Sequence, residues 1–473
     1  MTGKRKQKAL LLIAFSLLCG CATFKSKPLQ PAKTASSFEA RTLRSAGLEG
    51  FIVKNLKGKK EAPPELTWPP GTWDLKLLSL AALYYHPDMD VARARWGVRE
   101  AGVITAGARP NPGAALTPQY HANPGGLAPW TLMLSLDIPV ETAGRRGYRI
   151  ARARHLSAAA RMEIAETAWK VRSRLRKSLL RLFGFTRKEL LLKEQYSAQD
   201  GIVQIYEQRL AAGQVSGFAL TSERIARDKT ALALSRAAGG TAQARAGLAE
   251  SLGIPSSALK GIDISFEGLE RVSASLYSAD VRREALTGRA DVLAKLEEYE
   301  AAQSALQLQI ARQYPDVRLG PGYSWDQGDN EWSLGLVLEL PVLNRNEGPI
   351  AEARAGRKQA AAEFTALQAR VIGEIDRAFV GYNASLQNLK AADSLVSAQR
   401  ENLEVTALRV KAGQEDRLAL LLATQGLISA ELSRLDALLS AQESVGRLED
   451  AVQRPLNDPA AFPRGATPDE ANR

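Results

Sequence analysis

The chain has 473 residues, a net charge of +12 and 24% charged residues, with only three histidines and two cysteines. Basic and acidic residues alternate along predicted helices, as on solvated helix faces, so the charge does not indicate nucleic-acid binding. No metal-ligand spacing, phosphate-binding glycine loop or nucleophile–base pair occurs, so we expect no enzyme activity, no catalytic residue, no cofactor and no metal site.

Residues 1–20 have the pattern of a targeting segment, with a basic head and an apolar run too short to cross a bilayer. The segment ends in Leu-Cys-Gly-Cys21, which resembles a bacterial lipobox. That resemblance implies cleavage before Cys21, lipidation of Cys21 and, because Ala22 follows rather than Asp, an outer-membrane destination. An ordinary signal peptide with a stray cysteine is the alternative. Cys19 leaves with the signal, so an intramolecular disulfide is excluded.

Residues 21–72 are rich in Lys, Pro and Ser and have weak periodicity, which predicts an extended N-terminal tether. A first repeat is predicted over residues 73–255. It contains a helix, a strand pair within 114–139 and a long helical hairpin. The outgoing helix of this hairpin lacks proline from Gly147 to Ala212, about 100 Å at 1.5 Å per residue, and Gly213 marks the tip.

A second repeat follows over residues 277–455, after a connector at 256–276 and before a polar tail at 456–473 that we expect to be flexible. It repeats the helix, a strand pair within 316–341 and a hairpin whose tip lies near Gly413. Arg209 to Gln214 matches Arg409 to Gln414, and Pro255 matches Pro455, all at an offset of 200. Agreement in this order indicates a tandem duplication.

Each strand pair includes a strand with one apolar face. In both, large apolar residues alternate with small or polar ones, the pattern of a half-buried strand. We predict that these alternating residues face lipid: Trp130, Leu132, Leu134, Leu136, Trp332, Leu334, Leu336 and Leu338.

The sheet is too small to close. Strands of 8 to 10 residues suit a tilted bilayer crossing, but four strands leave two open edges, which lipid does not tolerate. Because the backbone groups at these open edges need hydrogen-bond partners, we expect the chain to oligomerise. Three copies would supply twelve strands, enough for a pore, although stoichiometry cannot be derived from the sequence.

The lipobox, the two strand pairs that run into helical hairpins, the Ala-Gly-Gln tips and the segment Leu338-Glu-Leu-Pro-Val-Leu-Asn-Arg-Asn-Glu347 resemble the TolC-like outer-membrane efflux family. The Leu-Pro-Val-Leu-Asn-Arg-Asn run most resembles the CzcC/CusC-type heavy-metal branch. The resemblance implies a mainly α fold: a homotrimer with a twelve-stranded barrel in the outer membrane above a periplasmic tunnel of α-helical coiled coils.

The resemblance also implies a function. The chain would be a passive conduit of a tripartite efflux system, docked to a periplasmic adaptor and an inner-membrane pump, with heavy-metal cations as the candidate cargo. The adaptor-facing tips would be Gly213, Gln214, Gly413 and Gln414. The alternatives are a periplasmic adaptor, expected to have one hairpin, and a structural coiled-coil lipoprotein.

Acidic residues are absent six and nine residues after Gly413, where some family members carry acidic rings. The candidate aperture residues are instead Glu415 and Asp416. Their alternative role is to cap the helix that follows, because carboxylates are favoured at helix N-termini.

Overall fold

A computed structural model describes residues 22–57, 67–122, 124–272 and 279–456, without the side chains of residues 279–281. The predicted signal segment and Cys21 lie outside these residues, as does the tail from residue 457. The chain divides into two units, residues 1–42 and 43–473. The described part of the first unit contains helix α1, Pro31–Glu39. Just after this helix, the Arg41 guanidinium lies 5.1 Å from the centre of the Phe38 ring.

The second unit contains nine α-helices and four strands within its described residues. In chain order they are α2 (Ala46–Lys57), α3 (Leu75–Tyr85), α4 (Pro87–Gly107), β1 (Gly113–Tyr120), β2 (Trp130–Val140), α5 (Arg145–Ala211), α6 (Gly217–Leu252), α7 (Ala279–Gly288), α8 (Ala290–Ala311), β3 (Val317–Asp326), β4 (Asp329–Leu338), α9 (Glu347–Lys411) and α10 (Arg417–Val452). Helices α5 and α9, of 67 and 65 residues, pack against α6 and α10 as two hairpins.

The duplication is visible in the order of the elements. Helices α3 and α4, the pair β1–β2, and the hairpin α5–α6 are followed by α7 and α8, the pair β3–β4, and the hairpin α9–α10. The return helices α6 and α10 begin and end at an offset of 200 residues. The expected architecture, mainly α with a four-stranded sheet and two long hairpins, is confirmed.

The extended tether predicted for residues 21–72 is wrong. Helices α1 and α2 occupy much of it, and Leu43, Leu48 and Ile52 are fully buried. Ser45 Oγ accepts a hydrogen bond from the Leu48 amide at the start of α2, as an N-terminal capping residue does. The apolar spacing of four between Leu48 and Ile52 places both on one helix face, a signal masked by the surrounding lysines and glycines.

Two apolar cores hold the repeats together. The first joins α2 and α3 to the middle of α5 and the end of α6, around Trp73, Leu175 and Leu248. The second joins α7 and α8 to α9 and the end of α10, around Ile375, Tyr382 and Leu448. Each core therefore lies where a repeat's short helices pack against its hairpin, far along the chain from the tip.

The single helix predicted at the start of the second repeat is broken at Arg289, between α7 and α8. The Arg289 guanidinium is buried and donates to Asp291, to Glu374 on α9 at 3.1 Å and to the Ala451 carbonyl at 2.7 Å. Although burial disfavours its charge, the two carboxylates raise the pKa of Arg289. The Arg289 guanidinium thus bonds to residues of α8, α9 and α10, and these bonds stabilise the chain at the break between α7 and α8.

The four strands form one antiparallel sheet in the order β1-β2-β3-β4. Strands β2 and β3 pair although a complete hairpin separates them in the chain, with Leu134 opposite Tyr323. One described helix, Arg417–Val452, is long and apolar enough for a bilayer crossing by length and composition, a test that the core helix of a soluble protein also passes.

Candidate functional site: the sheet face and the hairpin tips

One face of the sheet is apolar across all four strands. Residues directly opposite one another in antiparallel strands lie on the same face, and the register aligns Leu116 with Leu134, Leu134 with Tyr323 and Tyr323 with Trp332. The eight residues predicted to face lipid all lie on this apolar face, and all are exposed in the single chain. Trp332 and Leu334 are 82% and 75% exposed.

The opposite, polar face carries small and charged residues. Thr131 Oγ1 donates to Asp326 and lies 2.9 Å from His121 Nε2, which joins the β1–β2 turn to β3. Arg318 pairs with Asp137 at 3.1 Å. Carboxylates outnumber guanidiniums on this face: Asp137, Asp326, Asp329 and Glu331 against Arg318.

The two outer strands have free edges. Within the described residues, β1 pairs only with β2 and β4 only with β3, so the sheet does not close on itself in one chain. An exposed apolar face is stable in lipid, but unpaired backbone amides and carbonyls at the edges are not. The single chain thus shows the incomplete sheet that the sequence predicted.

The two hairpin tips have the same backbone geometry. Gly213 and Gly413 adopt left-handed φ values of 68° and 74°, which glycine favours. The amides of Gln214 and Gln414 donate to the carbonyls of Arg209 and Arg409 at 2.8 and 2.9 Å. These bonds end the outgoing helices in a glycine C-cap and turn the chain within five residues. The four predicted tip residues therefore lie at the turns, Gly213 and Gln214 in the first hairpin and Gly413 and Gln414 in the second.

The caps of the two return helices differ in charge. Ser216 Oγ accepts from the Ala219 amide at 3.2 Å, and Asp416 Oδ1 accepts from the Ala419 amide at 2.9 Å. Asp416 also pairs with Arg209 of the first hairpin. The backbone hydrogen bond from Ala419 and the Arg209 guanidinium together lower the pKa of Asp416. The capping alternative for Asp416 is thus realised, while Glu415 is exposed at the tip.

We expect Asp416→Ala to cost about 1 kcal/mol in the first turn of α10, as the loss of an N-cap does. Because the pKa of Asp416 is lowered on folding, its stabilisation is present above the ordinary aspartate pKa and is lost as pH falls through the lowered value. Amide hydrogen exchange should be faster across residues 417–420 in the variant at neutral pH. Unchanged exchange there would contradict the capping role; Glu415→Ala is the matched control and should have no effect.

A buried ion cluster that the sequence pattern did not predict joins the two hairpins. Arg172 and Arg176 of α5 lie 3.1 and 3.4 Å from Glu449 of α10, and all three side chains are at most 7% exposed. Arg176 also donates to the side chain of Gln442 at 2.9 Å. Burial lowers the pKa of Arg176, and Glu449 offsets part of that effect.

Gly446 makes room for this cluster. A Cβ atom at that position would lie 2.6 Å from Arg176 Nη1. Charged residues spaced along a helix resemble solvated faces in sequence, so the pattern gave no sign of burial. The sequence signal at this site was Gly446, a glycine inside a predicted helix.

Comparison with known proteins identifies the family. The sequence pattern of the family described as "Outer membrane efflux protein" matches residues 78–254 and 281–452, which is more than half of the chain and divides at the connector between the repeats. The cobalt-zinc-cadmium resistance protein CzcC of Cupriavidus metallidurans is 24% identical over 312 residues, 65% of this chain and 69% of CzcC.

Solved structures share the fold. The outer membrane protein VceC of Vibrio cholerae superposes with a TM-score of 0.64 at 20% identity, covering 80% of this chain and 95% of VceC. CusC, described as forming a transmembrane channel, superposes with a TM-score of 0.64 at 17% identity, covering 83% of this chain and 95% of CusC. The chain belongs to the outer membrane efflux protein family, as its resemblance to TolC-like proteins predicted, and is a channel component of an efflux system in the outer membrane.

Proposed function

We propose that three copies of this chain form a passive conduit for heavy-metal cations, anchored through lipid on Cys21. The observation that carries the proposal is the exposed apolar face of an unclosed four-stranded sheet in an outer-membrane efflux protein. Three such sheets supply twelve strands, which pair every edge and enclose a lumen lined by the polar face. Lipid then covers the apolar face.

The cargo proposal has two supports. CzcC, a relative at 24% identity, is a cobalt-zinc-cadmium resistance protein. The polar face carries an excess of carboxylates, from Asp137, Asp326, Asp329 and Glu331, and a surface of one charge sign raises the local concentration of opposite charges. A conduit must also release what it conducts. No cluster of His, Cys, Asp or Glu suited to holding a metal occurs in the part of the chain that the structure describes.

The hairpin tips are proposed to contact a periplasmic adaptor, which links the conduit to an inner-membrane pump that supplies the energy. Both tips present exposed backbone and glutamine side chains, at Gln214 and Gln414. Their similar backbone geometry offers an adaptor six sites of the same shape per trimer, although the capping residues Ser216 and Asp416 differ in charge. The family assignment favours this channel over the adaptor or structural lipoprotein that the sequence left open.

Deleting the gene should increase sensitivity to cobalt, zinc and cadmium, and the intact gene should restore resistance. Parallel growth tests with dyes and antibiotics control for a general export defect or a damaged envelope. Increased sensitivity to organic compounds alone would contradict the cation cargo while leaving the channel intact. Substituting Cys21 by Ser tests the anchor separately, since it should remove labelling by radioactive palmitate.

A further inference from the structure

The charged residues of the four strands all lie on one face of the sheet. The register and one ion pair place them on the polar face, which we propose lines the lumen: Asp137, Arg318, Asp326, Asp329 and Glu331. They are divided between two ends of the sheet. The turn end lies at the turns β1–β2 and β3–β4, and the helix end lies beside α5 and α8. The proposed lumen therefore has two charged levels.

The turn end is acidic. Asp326 lies opposite Asp329, and Glu331 follows two residues along β4 on the same face. The sequence contains no lysine or arginine from residue 110 to 144 or from 319 to 344. No lysine or arginine of these strands and turns therefore lies beside the three carboxylates, and a surface of this kind concentrates cations.

The helix end carries Arg318, which is the only lysine or arginine of the four strands. Its guanidinium lies 3.1 Å from the carboxylate of Asp137 on β2, and the two side chains are 61% and 52% exposed. An exposed ion pair contributes little to stability. The charges of this pair can therefore be changed while the sheet stays folded.

Small uncharged residues separate the two levels. Gly320 lies opposite Gly335, and Gly322 lies opposite both Ser135 and Ser333. None of these side chains extends far from the backbone. The fixed charges that an ion meets along the sheet are therefore those of the ion pair at the helix end and of the carboxylates at the turn end.

We propose that Asp137 and Arg318 set the ion selectivity of the barrel at its helix end, where Asp137 cancels the barrier to cations that Arg318 alone would raise. Rings of arginine in a pore favour anions, and rings of carboxylates favour cations. Because an ion crosses the two levels in series, the acidic turn end does not remove a positive barrier at the helix end. This inference rests on the proposed conduit and names the residues that determine its selectivity.

Selectivity measurements on the purified protein in planar bilayers, under a potassium chloride gradient, test the pair. The reversal potential gives the permeability ratio of potassium to chloride. Asp137→Asn should lower this ratio about twofold or more, since each copy then presents an unpaired guanidinium. Arg318→Gln should raise the ratio, and the double variant should return it close to that of the natural protein.

Asp329→Asn is the matched control. It removes one carboxylate from each copy, as Asp137→Asn does, but at the turn end, where Asp326 and Glu331 remain. It should therefore lower the ratio less than Asp137→Asn does. Equal effects of the two variants would mean that total charge rather than the pair sets selectivity, and would overturn the inference.

The outcomes distinguish this inference from the proposed conduit. Uniform conductance steps whose ratio is unchanged by Asp137→Asn and by Arg318→Gln would overturn the role of the pair and leave the conduit intact. If Asp137→Asn does not assemble, Arg318→Gln alone decides, because an unchanged ratio in that variant contradicts the proposal. A natural protein without any conductance would overturn both.

Discussion

Leu336→Arg is expected to abolish assembly in the outer membrane. Leu336 lies opposite Leu319 on the apolar face and is 60% exposed in the single chain. Arginine on the lipid face of a barrel costs about 2–4 kcal/mol near the bilayer midplane, and each trimer would carry three such residues. Heat-modifiable trimer in outer-membrane fractions should disappear, and resistance to the exported compounds should disappear with it.

The neighbouring residue provides a matched control. Val337 is also apolar and is 61% exposed, but it lies opposite Arg318 on the polar face. Val337→Arg places the same charge one residue away, on the face that we propose lines the lumen. Trimer yield should therefore stay near that of the natural protein. If both variants assemble equally well, or if both fail, the assignment of the two faces is wrong.

Glu449→Ala should destabilise the junction of the two hairpins strongly. Glu449 pairs with both Arg172 and Arg176 in a buried site and also accepts a hydrogen bond from the Leu456 amide at 3.0 Å. Removing one partner from a buried ion pair costs about 3–5 kcal/mol, because the remaining charge is left uncompensated. Denaturant unfolding of the detergent-solubilised protein, followed by circular dichroism, should show a lower midpoint.

The control for this prediction is a pair at the surface. Arg187 and Glu270 also form an ion pair, but their side chains are 47% and 45% exposed. Exposed pairs contribute about 0–1 kcal/mol, so Glu270→Ala should leave the midpoint nearly unchanged. A Glu449→Ala midpoint as high as that of Glu270→Ala would mean that the cluster contributes little net stability.

The sequence was sufficient to predict the elements that occur in both repeats. Local signals predicted these elements: glycines at the hairpin tips, alternation of apolar and polar residues in strands, and prolines that end helices. Because the sequence is duplicated, each signal occurs twice. Gly213 and Gly413 lie where they were predicted. The β2–β3 pairing follows the same logic, since two amphipathic strand pairs with matching apolar faces can share one sheet. Residues 46–57 form α2 because Leu48 and Ile52 reach a core assembled from distant helices, and a local pattern does not show that core.

The contacts between the two hairpins could not be predicted from the sequence, for a different reason. Arg172 and Glu449 are 277 residues apart, and helical periodicity indicates which residues share a face but not which helix covers that face. The role of Asp416 was open for a related reason, since the sequence permitted a cap or an aperture. The cap is local, but the pairing with Arg209 depends on how the second hairpin lies beside the first.

We propose that the sheets of separate copies close around a lumen in lipid. Single-channel recording from purified protein in planar bilayers tests it most directly. We expect discrete conductance steps of uniform size from the natural protein and from Val337→Arg, with preference for cations, and none from Leu336→Arg. A natural protein that stays monomeric in lipid, with the Trp332 strand shielded from it and no conductance, would contradict the account.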